Sequence, residues 1–157
     1  MIAMATITSP VQIIVGSMLG ATEYVAESLQ NLLQQHSIES EIHFQPDFEQ
    51  IPKQGTWLIC SSTHGAGDLP DIIQQFANDL ANVSSLSGID YLVVGLGDTS
   101  YDTFCQAGKT LFQLMEQKHA TPIRDLFCID VLEHTIPEEI AQQWLISVLE
   151  EQNHAAS

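Results

Sequence analysis

Four short, almost wholly apolar runs punctuate this chain: Val11 to Val15 (VQIIV), Trp57 to Cys60 (WLIC), Tyr91 to Leu96 (YLVVGL) and Leu126 to Ile129 (LFCI). Runs so short and so continuous read as strands buried on both faces, a pattern that belongs to parallel sheets. Segments of helical period separate them. Val25, Leu29, Leu32 and Leu33 mark a helix over Thr22 to Gln35; Ile72, Ile73, Phe76 and Leu80 mark a second. Leu111, Phe112 and Met115 mark a third. Ile140, Trp144, Leu145, Val148 and Leu149 mark a fourth, opened by Pro137 with Glu138 and Glu139 in its first turn. Ile38, Ile42 and Phe44 alternate with polar residues, as in a half-exposed edge strand. This alternation predicts an α/β protein with a parallel sheet and helices on both faces. The expected unit is one domain over residues 1–157, with its core from about residue 11 to 151 and short frayed ends, including the polar tail Gln152 to Ser157.

Charge narrows the function. Twenty acidic residues stand against four cations, Lys53, Lys109, Lys118 and Arg124, for a formal net charge of −16. Nucleic-acid binding needs cations to displace phosphate counterions, so that class is excluded, and an anionic membrane surface is disfavoured on the same ground. A strongly acidic protein suits fast, salt-sensitive docking on basic partners. No apolar run approaches the ~20 residues of a membrane span. Met1 to Pro10 hold no Lys or Arg to form the charged start of a secretory signal, so a cytoplasmic setting is expected. Cys60, Cys105 and Cys128 are odd in number and widely spaced, which argues against a disulfide framework, a zinc site or an iron–sulfur cluster. Cys60 and Cys128 lie in apolar runs and are expected as buried core thiols.

Ligands of open α/β sheets sit beyond the carboxyl ends of the strands, where strand order reverses. Three loops therefore matter. The first, Gly16 to Glu23, is small and hydroxyl-bearing and runs into a helix, whose N-terminus offers backbone N–H groups and a positive dipole end. Ser17 and Thr22 add hydroxyls. The loop has no Lys for a Walker motif and lacks the three glycines of a Rossmann fingerprint. Neutral donors alone suit a terminal monophosphate better than a Mg-bound triphosphate, although the same loop also fits an ordinary capped strand–helix turn. The second loop, Ser61 to Asp71, carries Gly65 and Gly67, whose backbone can approach a ligand closely. The third, Gly95 to Cys105, places Gly97, Asp98 and Tyr101 beside the presumed crevice, where an aromatic can stack on a planar ring or pack on the following helix with Phe104.

STHGAGDLPD (Ser62 to Asp71) and GLGDTSYDTFC (Gly95 to Cys105), in this strand–loop–helix context, resemble the flavodoxin family, and within it the short MioC-type members. The resemblance extends from Val11 to about Glu151. It implies a flavodoxin-like, doubly wound, five-stranded parallel sheet in the order 2-1-3-4-5, within three α/β/α layers. It implies FMN as cofactor. Ser17, Met18, Leu19, Gly20, Ala21 and Thr22 would hold its phosphate. Ser62, Thr63, His64, Gly65, Ala66 and Gly67 would line one side of the ring. Leu96, Gly97, Asp98, Tyr101, Phe104 and Cys105 would line the other, with Tyr101 stacked on the outer face. The chain departs from the common pattern at Leu19, where the family usually has Thr, and at His64, where many members carry Trp. The Gly65–Ala66 or Ala66–Gly67 peptide is the candidate for the flip that flavodoxins make on reduction. Asp68, Asp98 and Asp102 are candidates for disfavouring extra negative charge on the flavin.

The role implied is a monomeric carrier of single electrons from a basic flavoprotein reductase to a redox acceptor enzyme, both docked transiently on the acidic FMN side. The chain shows no G-x-S-x-G and no H-E-x-x-H, and no catalytic residue or metal ligand is expected. Two other readings stay open: an NAD(P)H-dependent flavin or quinone reductase, and a flavin-free interaction module on the same fold. A receiver-like phosphorylation module fits poorly, because Val11 to Ser17 contain no acid to bind Mg²⁺.

Overall fold

The computed structural model describes residues 5–17, 20–63, 67–100 and 103–156. In chain order the elements are β1 (Val11–Gly16), α1 (Ala21–Gln35), β2 (Ser40–His43), β3 (Thr56–Ser62), α2 (Asp71–Asn82), β4 (Asp90–Gly97), α3 (Gln106–Gln117), β5 (Thr121–Pro122), β6 (Phe127–Asp130) and α4 (Pro137–Ala156). All the strand pairings are parallel, in the order β2-β1-β3-β4, with β5 and β6 both on the outer edge of β4.

Alternation along each central strand sends side chains to two cores. Val11, Ile13, Val15, Leu58, Cys60, Leu92, Val94 and Leu96 face the helices α1 and α4. Ile14, Trp57, Ile59, Tyr91 and Val93 face α2 and α3. The continuous apolarity of the strands thus follows from two helical layers. The chain leaves β1 on one side for β2 and returns on the other to β3, so strand order reverses between β1 and β3.

Three expectations need correction. The fifth strand is split in two. Pro122 faces Tyr91 and Phe127 faces Val94, so four residues at the edge lie opposite two on β4. The surplus forms a bulge, within which the Arg124 side chain bonds the Ile123 carbonyl and Glu151. The C-terminal tail does not fray at Gln152, because α4 continues to Ala156. The Gln152 Oε1 accepts from the Ile7 N–H at 2.7 Å, so the amino-terminal segment holds the helix. Finally, Cys105 and Cys128 form a disulfide, so Cys128 is no free core thiol. Topology brings the pair together: β6 runs beside β4, and Cys128 stands opposite Gly95, over which Cys105 enters. Cys60 is buried and free, as expected.

Between β2 and β3, Phe48 and Ile51 tuck beneath Trp57 and Phe76. The Trp57 indole N–H donates to the Pro52 carbonyl at 2.9 Å.

Candidate functional site

The ends of β1, β3 and β4 emerge on one side of the sheet, because parallel strands share a direction. Gly16 lies opposite Ser61, and Ser62 opposite Leu96, so the three loops start at nearly one level. The first loop leads straight into α1. Gly20 is the N-cap and supplies no side chain of its own to cap this helix start. The first backbone bond of the helix runs from the Tyr24 N–H to the Gly20 carbonyl. A helix end whose N-cap is a glycine presents first-turn N–H groups suited to an outside acceptor such as a phosphate. Thr22 is buried at the same place. Neither this loop nor the two beside it, Ser61 to Asp71 and Gly95 to Cys105, contains Lys or Arg.

The second loop is stitched to the first and third. The Ser62 hydroxyl donates to the Gly16 carbonyl at 3.4 Å, and the Thr63 N–H donates to the Leu96 carbonyl at 3.1 Å. The Thr63 hydroxyl accepts from the Ala107 N–H at 3.2 Å, which ties the loop to the start of α3. Gly67 adopts a left-handed φ of 96°, and a Cβ there would stand 3.1 Å from Thr103 and 3.2 Å from Gln106. Only a glycine combines that turn with so close an approach of the two loops.

In the third loop, the Asp98 carboxylate accepts from both the Ser100 N–H, at 2.8 Å, and the Ser100 hydroxyl, at 2.5 Å. This local turn holds the segment after Gly97. The Phe104 ring lies over Gly97, within 3.0 Å of where a Cβ would be. Two of the expected cofactor residues have buried side chains. Leu96 is buried in the α1–α4 core, and Cys105 is fully buried in its disulfide. Met18, Leu19, His64, Gly65, Ala66, Tyr101 and Asp102 lie outside the described residues.

One participant escaped the sequence reading. Asp130, at the end of β6, is nearly buried and faces the third loop. Its carboxylate accepts from the Thr99 hydroxyl at 2.6 Å, the Thr99 N–H at 3.4 Å and the Leu132 N–H at 3.0 Å. The Thr99 hydrogen bond, chiefly, holds this carboxyl below its ordinary range. Its sequence signal was an acid closing an apolar strand at the same sheet end as the three loops. Among the described residues, no cluster of His, Cys, Asp and Glu has the form of a metal site. No helix is long and apolar enough to cross a membrane, again among the described residues.

Comparison with known proteins places these loops in context. The family model described as Flavodoxin matches residues 13–144. The chain is similar to a MioC homolog of Pasteurella multocida, 40% identical over 85% of this chain and 91% of that protein. It is similar to MioC of Escherichia coli K12, 39% identical over 86% of this chain and 92% of its counterpart. Among solved structures, a cysteine-to-serine mutant of flavodoxin from Pseudomonas aeruginosa superposes with a TM-score of 0.81 at 29% identity, covering 87% of this chain and 94% of that one.

Proposed function

The chain belongs to the flavodoxin family, and from that premise we propose that it holds one FMN across the carboxyl ends of β1, β3 and β4 and carries single electrons between protein partners. The observation that carries this reading is the convergence of three cation-free loops at the β1/β3 reversal, the first of which enters α1 through Gly20. That donor set fits a monophosphate on a flat cofactor. FMN, when bound, supplies reversible one-electron chemistry. The chain's own residues do the rest. Ser17, Gly20, Ala21 and Thr22, with Met18 and Leu19, receive the phosphate at the start of α1. Thr63 and Gly67, with Ser62 and His64 to Ala66, form one wall for the ring. Gly97 and Asp98 form its polar edge, and Tyr101 covers the outer face.

The same proposal covers traffic at this end of the molecule. Val131, Leu132 and Ile136 expose apolar surface on the loop after β6, beside the third loop. A small apolar patch within a field of net charge −16 suits brief encounters with partners that bear basic rims. We assign those partners to a flavoprotein reductase and a redox acceptor enzyme, in a cytoplasmic setting, with a monomeric carrier that has no substrate of its own.

Fluorescence titration of the purified chain tests the site. FMN is expected to bind one per chain and more tightly than riboflavin, because the phosphate engages α1. Equal affinity for the two would remove the phosphate site, and no binding of either would leave an interaction module. Transfer from a basic reductase is expected to slow as salt rises; a salt-independent rate would contradict the charge-guided docking.

A further inference from the structure

The third loop is held from outside itself, and three of its anchors come from β6 and the residue that follows it. At its start, the Val131 N–H donates to the Gly97 carbonyl at 2.9 Å. Next, the Asp130 carboxylate takes both the hydroxyl and the N–H of Thr99. At its end, Cys105 is bonded to Cys128. These anchors enclose the segment that carries Asp98, Ser100 and the Tyr101 position. Asp130 also binds the Leu132 N–H, so one carboxylate joins the third loop to the β6–α4 loop. Thr99 is itself exposed, so burial does not fix its place; its bonds to Asp130 do.

We propose that Asp130 is a positioning residue for the flavin: through Thr99 it sets the third loop in the shape that receives the ring before FMN arrives. The proposal rests on the flavin site assigned above. Asp130 does not touch the cofactor in this account. It acts by keeping the loop from sampling other conformations, which FMN would otherwise have to select against at a cost in affinity. Because β6 lies at the sheet edge and, among the described residues, pairs with β4 alone, the ring's outer wall depends on how this strand's end is held.

The test compares the wild-type chain with Thr99→Val, Thr99→Ser and Asp130→Ala, each checked for cooperative thermal unfolding. Two readouts are taken. Amide hydrogen exchange across residues 97–103 is followed in the flavin-free full chain, and FMN and riboflavin affinities are measured by fluorescence. Thr99→Val is expected to speed exchange in this segment and weaken both flavins about tenfold, equivalent to about 1.4 kcal/mol. The preference for FMN over riboflavin should persist, since the phosphate loop is untouched. Asp130→Ala should do more, and Thr99→Ser should restore wild-type behaviour. Exchange that matches wild type in Thr99→Val would overturn the anchor. Faster exchange with unchanged affinity would overturn its role in positioning. A loss of FMN preference together with affinity would also overturn it, because the defect would then be general. Failure of the wild-type chain itself to bind either flavin would instead sink the site assignment, and the positioning proposal with it.

Discussion

The first and third loops meet the same crevice and are built in opposite ways. The first leads into α1 through Gly20, which has no side chain to close the helix start. The third is tied to β6 by a carboxylate, a backbone bond and a disulfide. On the site assignment proposed above, the difference follows from what each loop would receive. An anion at a helix N-terminus brings its own acceptors, so the chain leaves donors for it. A flat ring offers little bonding to shape a loop around, so the chain spends its own bonds to hold that wall in advance.

This contrast can be attacked at its tightest point first. Gly95 leaves room for Cys105, whose Sγ would stand 2.4 Å from a Cβ at position 95. Gly95→Val should therefore cost about 3 kcal/mol or more in chemical denaturation, at the upper end of overpacking effects. A cost below about 1 kcal/mol would show that the third loop is softer than described.

The cysteine pair comes next. It closes a loop with a sequence separation of 23 residues. Cys128→Ser, measured under oxidising conditions, should lower stability by about 2–3 kcal/mol. Under strong reducing conditions the two proteins should converge. Identical stability in both conditions would contradict the cross-link.

Cys60 sharpens the comparison from beneath the second loop. Burial pushes its thiol from an ordinary 9.0 up to about 12. The folded value is raised above the unfolded one. Its contribution to stability is therefore fully present below pH 9 and is lost as pH rises toward 12. Cys60→Ala should flatten that alkaline loss in denaturation curves taken along the pH axis. An unchanged slope would assign the loss to other groups.

The smallest effect belongs to the first loop. A Cβ at Gly20 would meet only the edge of the Tyr24 ring, at an ordinary 3.4 Å, and its backbone is right-handed. Gly20→Ala should shift the stability of the flavin-free chain by less than about 0.5 kcal/mol, the scale of unremarkable surface changes. A cost like that of Gly95→Val would erase the distinction between the loops.

Much of this architecture was legible in residue order. The runs VQIIV, WLIC and YLVVGL became β1, β3 and β4, because burial on both faces leaves a mark that survives without tertiary context. What remained hidden depended on register or distance. The bulge between β5 and β6 arises from two surplus residues, which no periodicity records. Phe48 and Ile51 stand apart from any periodic run, and only packing in the cluster of Trp57 and Phe76 makes them core. Cys105 and Cys128 fit no spacing motif; parallel pairing across Gly95 brings them together. At the site, the glycine and hydroxyl loops were visible as compositions. The inward turn of Leu96 was not, because a residue near a strand's end can face core or ligand. Asp130 read as the polar end of a strand, and its role emerged only once Thr99 lay beside it.

The central claim is that this chain is an FMN electron carrier. An anaerobic reductive titration of the FMN-loaded protein, followed by visible absorbance, tests it most directly. Two separate one-electron steps, with no NAD(P)H oxidation by the chain alone, are the predicted result. A single two-electron step accompanied by steady NAD(P)H oxidation would contradict it and make the protein a flavin-dependent reductase.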